Sequence, residues 1–176
     1  MKGSDNRRLV RARGEQKNLV RFRVGETCYA FEVANVEEVV HPVGVTPLPH
    51  MAPGVTGVFD HRGRVTPIVD LRFCFGLGQA QPLSAENALR GRLATAAKWL
   101  LMRTSRGLIG FVVDSVLDVV EPEDALSSAP HVGPGVARRA ILGVFTCQGT
   151  LVFVLDEERL ASVIADTPIP DQLPVD

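Results

Sequence analysis

The chain has 176 residues, 45% of them hydrophobic, with 19 basic against 20 acidic side chains. That length buries roughly 70% of the surface exposed by the unfolded chain, as one compact unit or two small ones packed together. A net charge of -1 gives no general basic face for nucleic acid, and no segment approaches the ~20 apolar residues of a membrane helix or forms the apolar core of a signal peptide, so a cytoplasmic protein without direct membrane insertion is expected.

Residues 1–17 are the exception to the charge balance: Lys2, Arg7, Arg8, Arg11, Arg13 and Lys17 face only Asp5 and Glu15. A solvated, flexible basic tail is the plain reading, and an arm touching a membrane or a partner is the alternative. Leu19 to Phe22 and Cys28 to Val33 then show the β-branched and aromatic enrichment of strands, with a turn at Val24-Gly25-Glu26-Thr27, which predicts a hairpin.

A repeat follows. AFEVANVEEVVHP (30–42) matches GFVVDSVLDVVEP (110–122) at an offset of 80, and GVFDHRGRVTPIVD (57–70) matches GVFTCQGTLVFVLD (143–156) at an offset of 86. Two collinear matches at nearly one offset indicate internal duplication. Each copy reads as several short strands, a Gly/Pro-rich connection and a closing hairpin, which predicts two small β-barrels. Between the copies, residues 76–97 carry Gly, Gln and Pro and then SAENALRGRLATAA, where Ser84 could cap a short helix.

What the copies share, chiefly Phe31/Phe111, the paired valines and the hairpin glycines, is what a barrel needs to fill its core and turn its corners. What they do not share is the tip: Asp60-His61-Arg62 in the first copy becomes Thr146-Cys147-Gln148 in the second, each followed by glycine. Asp at the first position and Gly at the fourth predict a type I turn that projects Arg62 from a rigid hairpin end. In the upstream segment NVEEVV, Val36 and Glu38 share a face if the chain is extended, whereas Val36, Val39 and Val40 share one if it is helical. Periodicity does not decide between these.

No nucleophile elbow, phosphate loop, dinucleotide loop or zinc-protease helix motif occurs. The four histidines, His41, His50, His61 and His131, are scattered through turns and form no spaced ligand set, and Cys28, Cys74 and Cys147 lie in separate apolar runs that suit buried thiols. No metal, cofactor or catalytic group is therefore expected. Two rivals remain. Cys147 and His61, each at a hairpin tip, could act as nucleophile and base, and a small duplicated barrel could bind single-stranded nucleic acid or a small ligand, although Trp99 and Tyr29 are the only Trp and Tyr available for stacking.

The run VTPLPHMAPGVTGVFDHRGRVTPIVDLR, with VEEV upstream and GFVVDSVLDVV downstream, resembles the CheW family of chemotaxis coupling proteins over about residues 18–165. The resemblance implies a mainly β fold of two SH3-like five-stranded barrels with short connecting helices. The first would span about 18–75 and the second about 98–160, with a linker over about 76–97, a short C-terminal helix and a Pro/Asp-rich tail over 166–176. It also implies a non-catalytic scaffold joining the cytoplasmic tip of a methyl-accepting chemoreceptor to the regulatory domain of a CheA-type histidine kinase, located at receptor arrays through its partners.

By the same resemblance, the partner-binding residues are Arg62 with Asp60 and His61 at the tip, Val36 and Glu38 upstream, and Val113, Val116 and Val119 in the second copy. Two departures stand out. Asp60-His61 replaces the family's usual Asn-Leu, and Gly54 replaces an aromatic residue commonly found before the valine at 55. They admit an alternative: a diverged paralogue that binds only one of these partners in a non-flagellar chemosensory system.

Overall fold

The hairpin expected near the start is formed by Leu19–Val24 (β1) and Thr27–Glu32 (β2), which pair antiparallel from Leu19↔Glu32 to Val24↔Thr27 around Gly25 at φ 61°. These observations come from a computed structural model that describes residues 17–78, 97–129 and 139–162. The N-terminal tail to residue 16, the proposed Ser84 helix, His131 and the C-terminal tail lie outside the described residues. The remaining strands are Val36–Val40 (β3), Val55–His61 (β4), Arg64–Asp70 (β5), Lys98–Thr104 (β6), Gly107–Val113 (β7), Ser115–Val120 (β8), Ile141–Cys147 (β9) and Thr150–Leu155 (β10). Short helices follow β5 and β10, at Leu71–Cys74 (α1) and Glu157–Ala161 (α2).

The duplication is visible element by element. β4, β5 and α1 begin at 55, 64 and 71, and β9, β10 and α2 begin at 141, 150 and 157, each 86 residues later. Asp70 and Asp156 cap the two helices in the same way, each accepting a hydrogen bond from the backbone N–H two residues on, as N-cap carboxylates do. Even the cramped glycines repeat. A Cβ on Gly57 would meet the Thr46 carbonyl oxygen at 2.8 Å, and one on Gly143 would meet that of Ser127 at 2.9 Å. In both copies the incoming chain bridges the strand at that point, Thr46 to Val58 and Ser127 to Val144.

The mainly β class with two five-stranded units is observed, but the copies do not each form one sheet. One sheet has the order β8-β1-β2-β10-β9 and the other β3-β6-β7-β5-β4. Exchanging each strand for its counterpart in the other copy converts one order into the other, so the sheets are equivalent and each draws strands from both halves of the chain. A contiguous first barrel over about 18–75 and second over about 98–160 is therefore corrected. The physical reason is that β1–β2 and β6–β7 each find their parallel neighbour in the opposite copy, β2 beside β10 and β7 beside β5. The main core lies where the two sheets meet and includes Phe22, Phe31, Leu71, Leu100, Phe111, Leu155 and Leu160, with Phe31 and Phe111 in ring contact at 5.5 Å.

Candidate functional site

The β4–β5 hairpin closes on His61↔Arg64, leaving Arg62 and Gly63 as a two-residue loop with φ 52° and 80°. Two successive positive φ values define a type I′ turn, whose twist matches that of the flanking strands. The expected type I turn beginning at Asp60 is corrected accordingly. Asp60 remains useful to the turn by another route: its Oδ1 accepts the Gly63 N–H at 2.7 Å. The second copy turns alike, with Gln148 at φ 50° and Gly149 at φ 75°.

Glycine and asparagine suit such positions, whereas an arginine held there costs roughly 1–3 kcal/mol. In return the tip presents a guanidinium whose side chain is 70% exposed. Its Nη2 lies 3.0 Å from Glu38 Oε2 on β3, and His61 Nε2 lies 3.4 Å from the same oxygen. The imidazole is 7% exposed, packs near Phe59, and its Nε2 is too poorly aligned with Glu38 to make a hydrogen bond. Asp60 therefore fixes the backbone, and Glu38 takes the role of orienting Arg62.

Why both glutamates of β3 reach this tip follows from an irregularity in the strand. β3 steps from Val36↔Met102 to Glu38↔Leu101, two residues against one on β6. A bulge of this kind re-aims side chains that would otherwise alternate between faces. Val36 packs against the main core, while Glu38 reaches Arg62 and Glu37 reaches Arg64 at 2.9 Å and Arg103 at 3.1 Å. Arg64, and after it Arg103, hold the Glu37 carboxyl below the usual carboxylate range. Arg103 also donates to the Ala34 carbonyl at 2.8 Å. Glu37, Arg64 and Arg103 were not legible as site residues, because the sequence pattern carries no signal for the bulge that turns Glu37 toward them.

The second copy lacks this charge. Asp118, 80 residues after Glu38, is held across the strand by Arg21 through two bonds of 2.6 Å, and the tip beyond it carries Gln148. Glu38 faces Leu101 at the equivalent place, with no cross-strand cation, and so turns to the tip. Among the described residues, no group of three or more His, Cys, Asp or Glu side chains is placed to hold a metal ion. Cys147 ends β9 and His61 ends β4, in different sheets, and the His61 ring is occupied by Phe59 and Glu38. The nucleophile-and-base pairing thus gains no support.

The model of the CheW-like domain matches residues 18–165. The chain belongs to the CheW-like domain family. Among its relatives, Chemotaxis protein CheW of Treponema pallidum is 28% identical over 149 residues, covering 84% of each chain. Chemotaxis protein CheW of Thermotoga maritima is 27% identical, over 81% of this chain and 86% of that protein. Protein FrzA of Myxococcus xanthus is 30% identical, over 82% and 83%. The crystal structure of scaffolding protein TtCheW from Thermoanaerobacter tengcongensis has the same fold, with a TM-score of 0.67 over 83% of this chain and 88% of that one at 22% identity.

In this CheW-like frame the expected contact residues separate into three groups. Arg62, His61, Glu38 and Asp60 come together at the tip. Val116 and Val36 are half-buried against the main core, and Val119, 58% exposed on the edge strand β8, is open to a partner. Val113 has no exposed surface and is corrected to a core residue: it points inward from β7, where a partner cannot touch it. The aromatic expected before Val55 is replaced by Gly54 at φ 92°, and a Cβ there would meet the Phe73 ring at 2.7 Å. Phe73, 38% exposed, supplies an aromatic ring at that place from α1 instead.

Proposed function

We propose that this protein is a non-catalytic chemotaxis scaffold of the cytoplasm that joins the cytoplasmic tip of a chemoreceptor to the regulatory domain of a CheA-type histidine kinase. The observation that carries the reading at residue level is Arg62, held in a costly left-handed conformation at a two-residue tip, largely exposed, and paired among the described residues with the partly exposed Glu38. A preformed tip loses little entropy on binding, so more of the contact energy is expressed as affinity. A guanidinium so placed suits bidentate contact with a partner carboxylate. Val119, with Val39 as its counterpart on the other free edge, adds apolar surface for a helical or extended partner. Coupling then works by linkage: receptor and kinase on different faces influence each other through a coupling free energy of typically ~1–3 kcal/mol.

The test is which native proteins co-purify with the wild type and which are lost with Arg62→Ala, after a check that the variant is folded. Selective loss of a histidine kinase or a chemoreceptor supports the reading, and absence of both from the wild type overturns it. A second reading, a diverged paralogue serving one partner in a non-flagellar chemosensory system, is favoured by the buried His61 beneath Arg62, where the family has an apolar residue. Capture of only one partner class by the wild type would select it.

A further inference from the structure

Every ladder in the two sheets belongs to one of two classes. β1/β2 and β4/β5 are hairpins within the first half of the chain, and β6/β7 and β9/β10 are hairpins within the second. The other four ladders, β1/β8, β2/β10, β3/β6 and β5/β7, all join one half to the other. Among the described residues, a hairpin is extended from its own half only by a single bridge, Thr46 to Val58 or Ser127 to Val144, and never by a full strand. A two-stranded hairpin is marginal in water, and independent stability needs three or more strands, so neither half holds a sheet that stands alone. Three ion pairs also cross between the halves: Arg21–Asp118, Arg72–Asp114 and Glu37–Arg103.

We propose that each half is a binding surface for the opposite half of a second copy, so that two chains assemble by reciprocal exchange. Each composite of one first half and one second half rebuilds both sheets, the Phe31–Phe111 contact and the three ion pairs, with no new interface required. Exchange of identical elements is a low-cost route to dimers. The halves are joined by residues 79–96, and association through a connection of about that length corresponds to an effective concentration of roughly millimolar. The closed monomer therefore dominates at micromolar concentrations, and the exchanged dimer rivals it as chains are concentrated toward that value. The inference is independent of which partner meets Arg62.

The experiment uses two full-length variants. Phe31→Asp places a carboxylate at a fully buried position of the first half, and Phe111→Asp does so in the second, so neither chain closes on itself. Mixed in denaturant and refolded together at about 20 µM each, they hold one intact first half and one intact second half between them, and for a fold of ordinary stability the two associate with an apparent Kd below about 1 µM. The expected product is a two-chain species with about half the native near-ultraviolet signal per chain. A mixture that stays as unfolded as either variant alone, while the wild type refolds in parallel, overturns the proposal. A second measurement is independent of the variants' solubility. Wild type refolded at about 1 mM and diluted to about 5 µM retains a two-chain species, because separating exchanged halves requires unfolding. Monomer alone, or a dimer that dissociates at once on dilution, overturns the proposal equally.

Discussion

Phe31 and Phe111 are counterparts in the repeat, and their rings meet with centroids 5.5 Å apart and planes inclined at 37°. A residue that touches its own counterpart lies on the two-fold axis relating the copies, as in an isologous interface between subunits. Neither ring has exposed surface. The pair thus joins two sheets that are already interlocked by strand exchange, and the chain should unfold as one unit.

Phe31→Ala and Phe111→Ala are each expected to cost ~3–5 kcal/mol, the usual range for removing a buried aromatic ring. The single Tyr and single Trp allow the sheets to be followed separately, since Tyr29 lies on β2 in one and Trp99 on β6 in the other. Urea transitions read by Trp99 fluorescence, Tyr29 absorbance and far-ultraviolet circular dichroism should coincide in the wild type and shift together in both variants. Separate midpoints for the two probes would show independently folding sheets.

At the tip, charge and turn geometry can be separated by comparing two substitutions of Arg62. Asparagine tolerates the left-handed conformation better than alanine, and the exposed pair with Glu38 contributes only about 0–1 kcal/mol. Arg62→Asn should therefore be more stable than Arg62→Ala by ~0.5–1 kcal/mol in chemical denaturation. Both should lose capture of the charged partner. Retention of binding by the asparagine variant would mean that turn shape, rather than charge, is what the partner reads.

Much of this architecture was legible in the sequence because it rests on local chemistry. The hairpin around Gly25, the 80- and 86-residue offsets and the Arg62-Gly63 tip follow from turn residues and strand-like runs. Which strand lies beside which did not follow: β2 beside β10 is a long-range pairing, and short apolar runs such as those of β2 and β5 carry no address for their partner. The same limit explains Val113. Alternation along β7 places it on one face or the other, but only the arrangement of both sheets makes that face the core. The turn type failed for a narrower reason, since Asp60 and Gly63 fit a four-residue type I turn as well as they fit a type I′ turn whose Gly63 N–H is held by the Asp60 carboxylate.

Arg21 offers a test of the second copy's edge. It is 5% exposed and is held by Asp118 through two bonds of 2.6 Å, while Asp118 itself is half-open to water. The hydrogen bond from Arg21 comes first among the causes that keep the Asp118 carboxyl below its ordinary value. Removing the carboxylate strands a buried guanidinium, so Asp118→Ala should cost ~1–3 kcal/mol, whereas an exposed pair would cost almost nothing. Since the native value is depressed, the stabilisation is present above the ordinary carboxylate range and is lost as pH falls through the depressed value. Wild type and Asp118→Ala should thus converge in stability toward strongly acidic pH, as measured by urea midpoints.

Glu157 carries the opposite dependence. It is 8% exposed at the first turn of α2, and its Oε1 accepts from Asn35 Nδ2 at 2.7 Å, joining α2 to the helical turn Val33–Asn35 just before β3. Burial, with smaller additions from Asp156, Glu32 and Glu158, pushes its carboxyl from 4.5 up to about 7. The folded chain then holds a proton that the unfolded chain has released, so stability is full below the ordinary value and falls as pH rises through about 7. Glu157→Gln keeps an oxygen for Asn35 and carries no charge to desolvate. It should match the wild type near pH 4 and exceed it at pH 8 by ~1–2 kcal/mol, less than the full shift because water reaches the helix end. Parallel urea midpoints for the two proteins from pH 4 to pH 8 would show that Glu157 ionises without cost and that its burial does not govern the pH dependence.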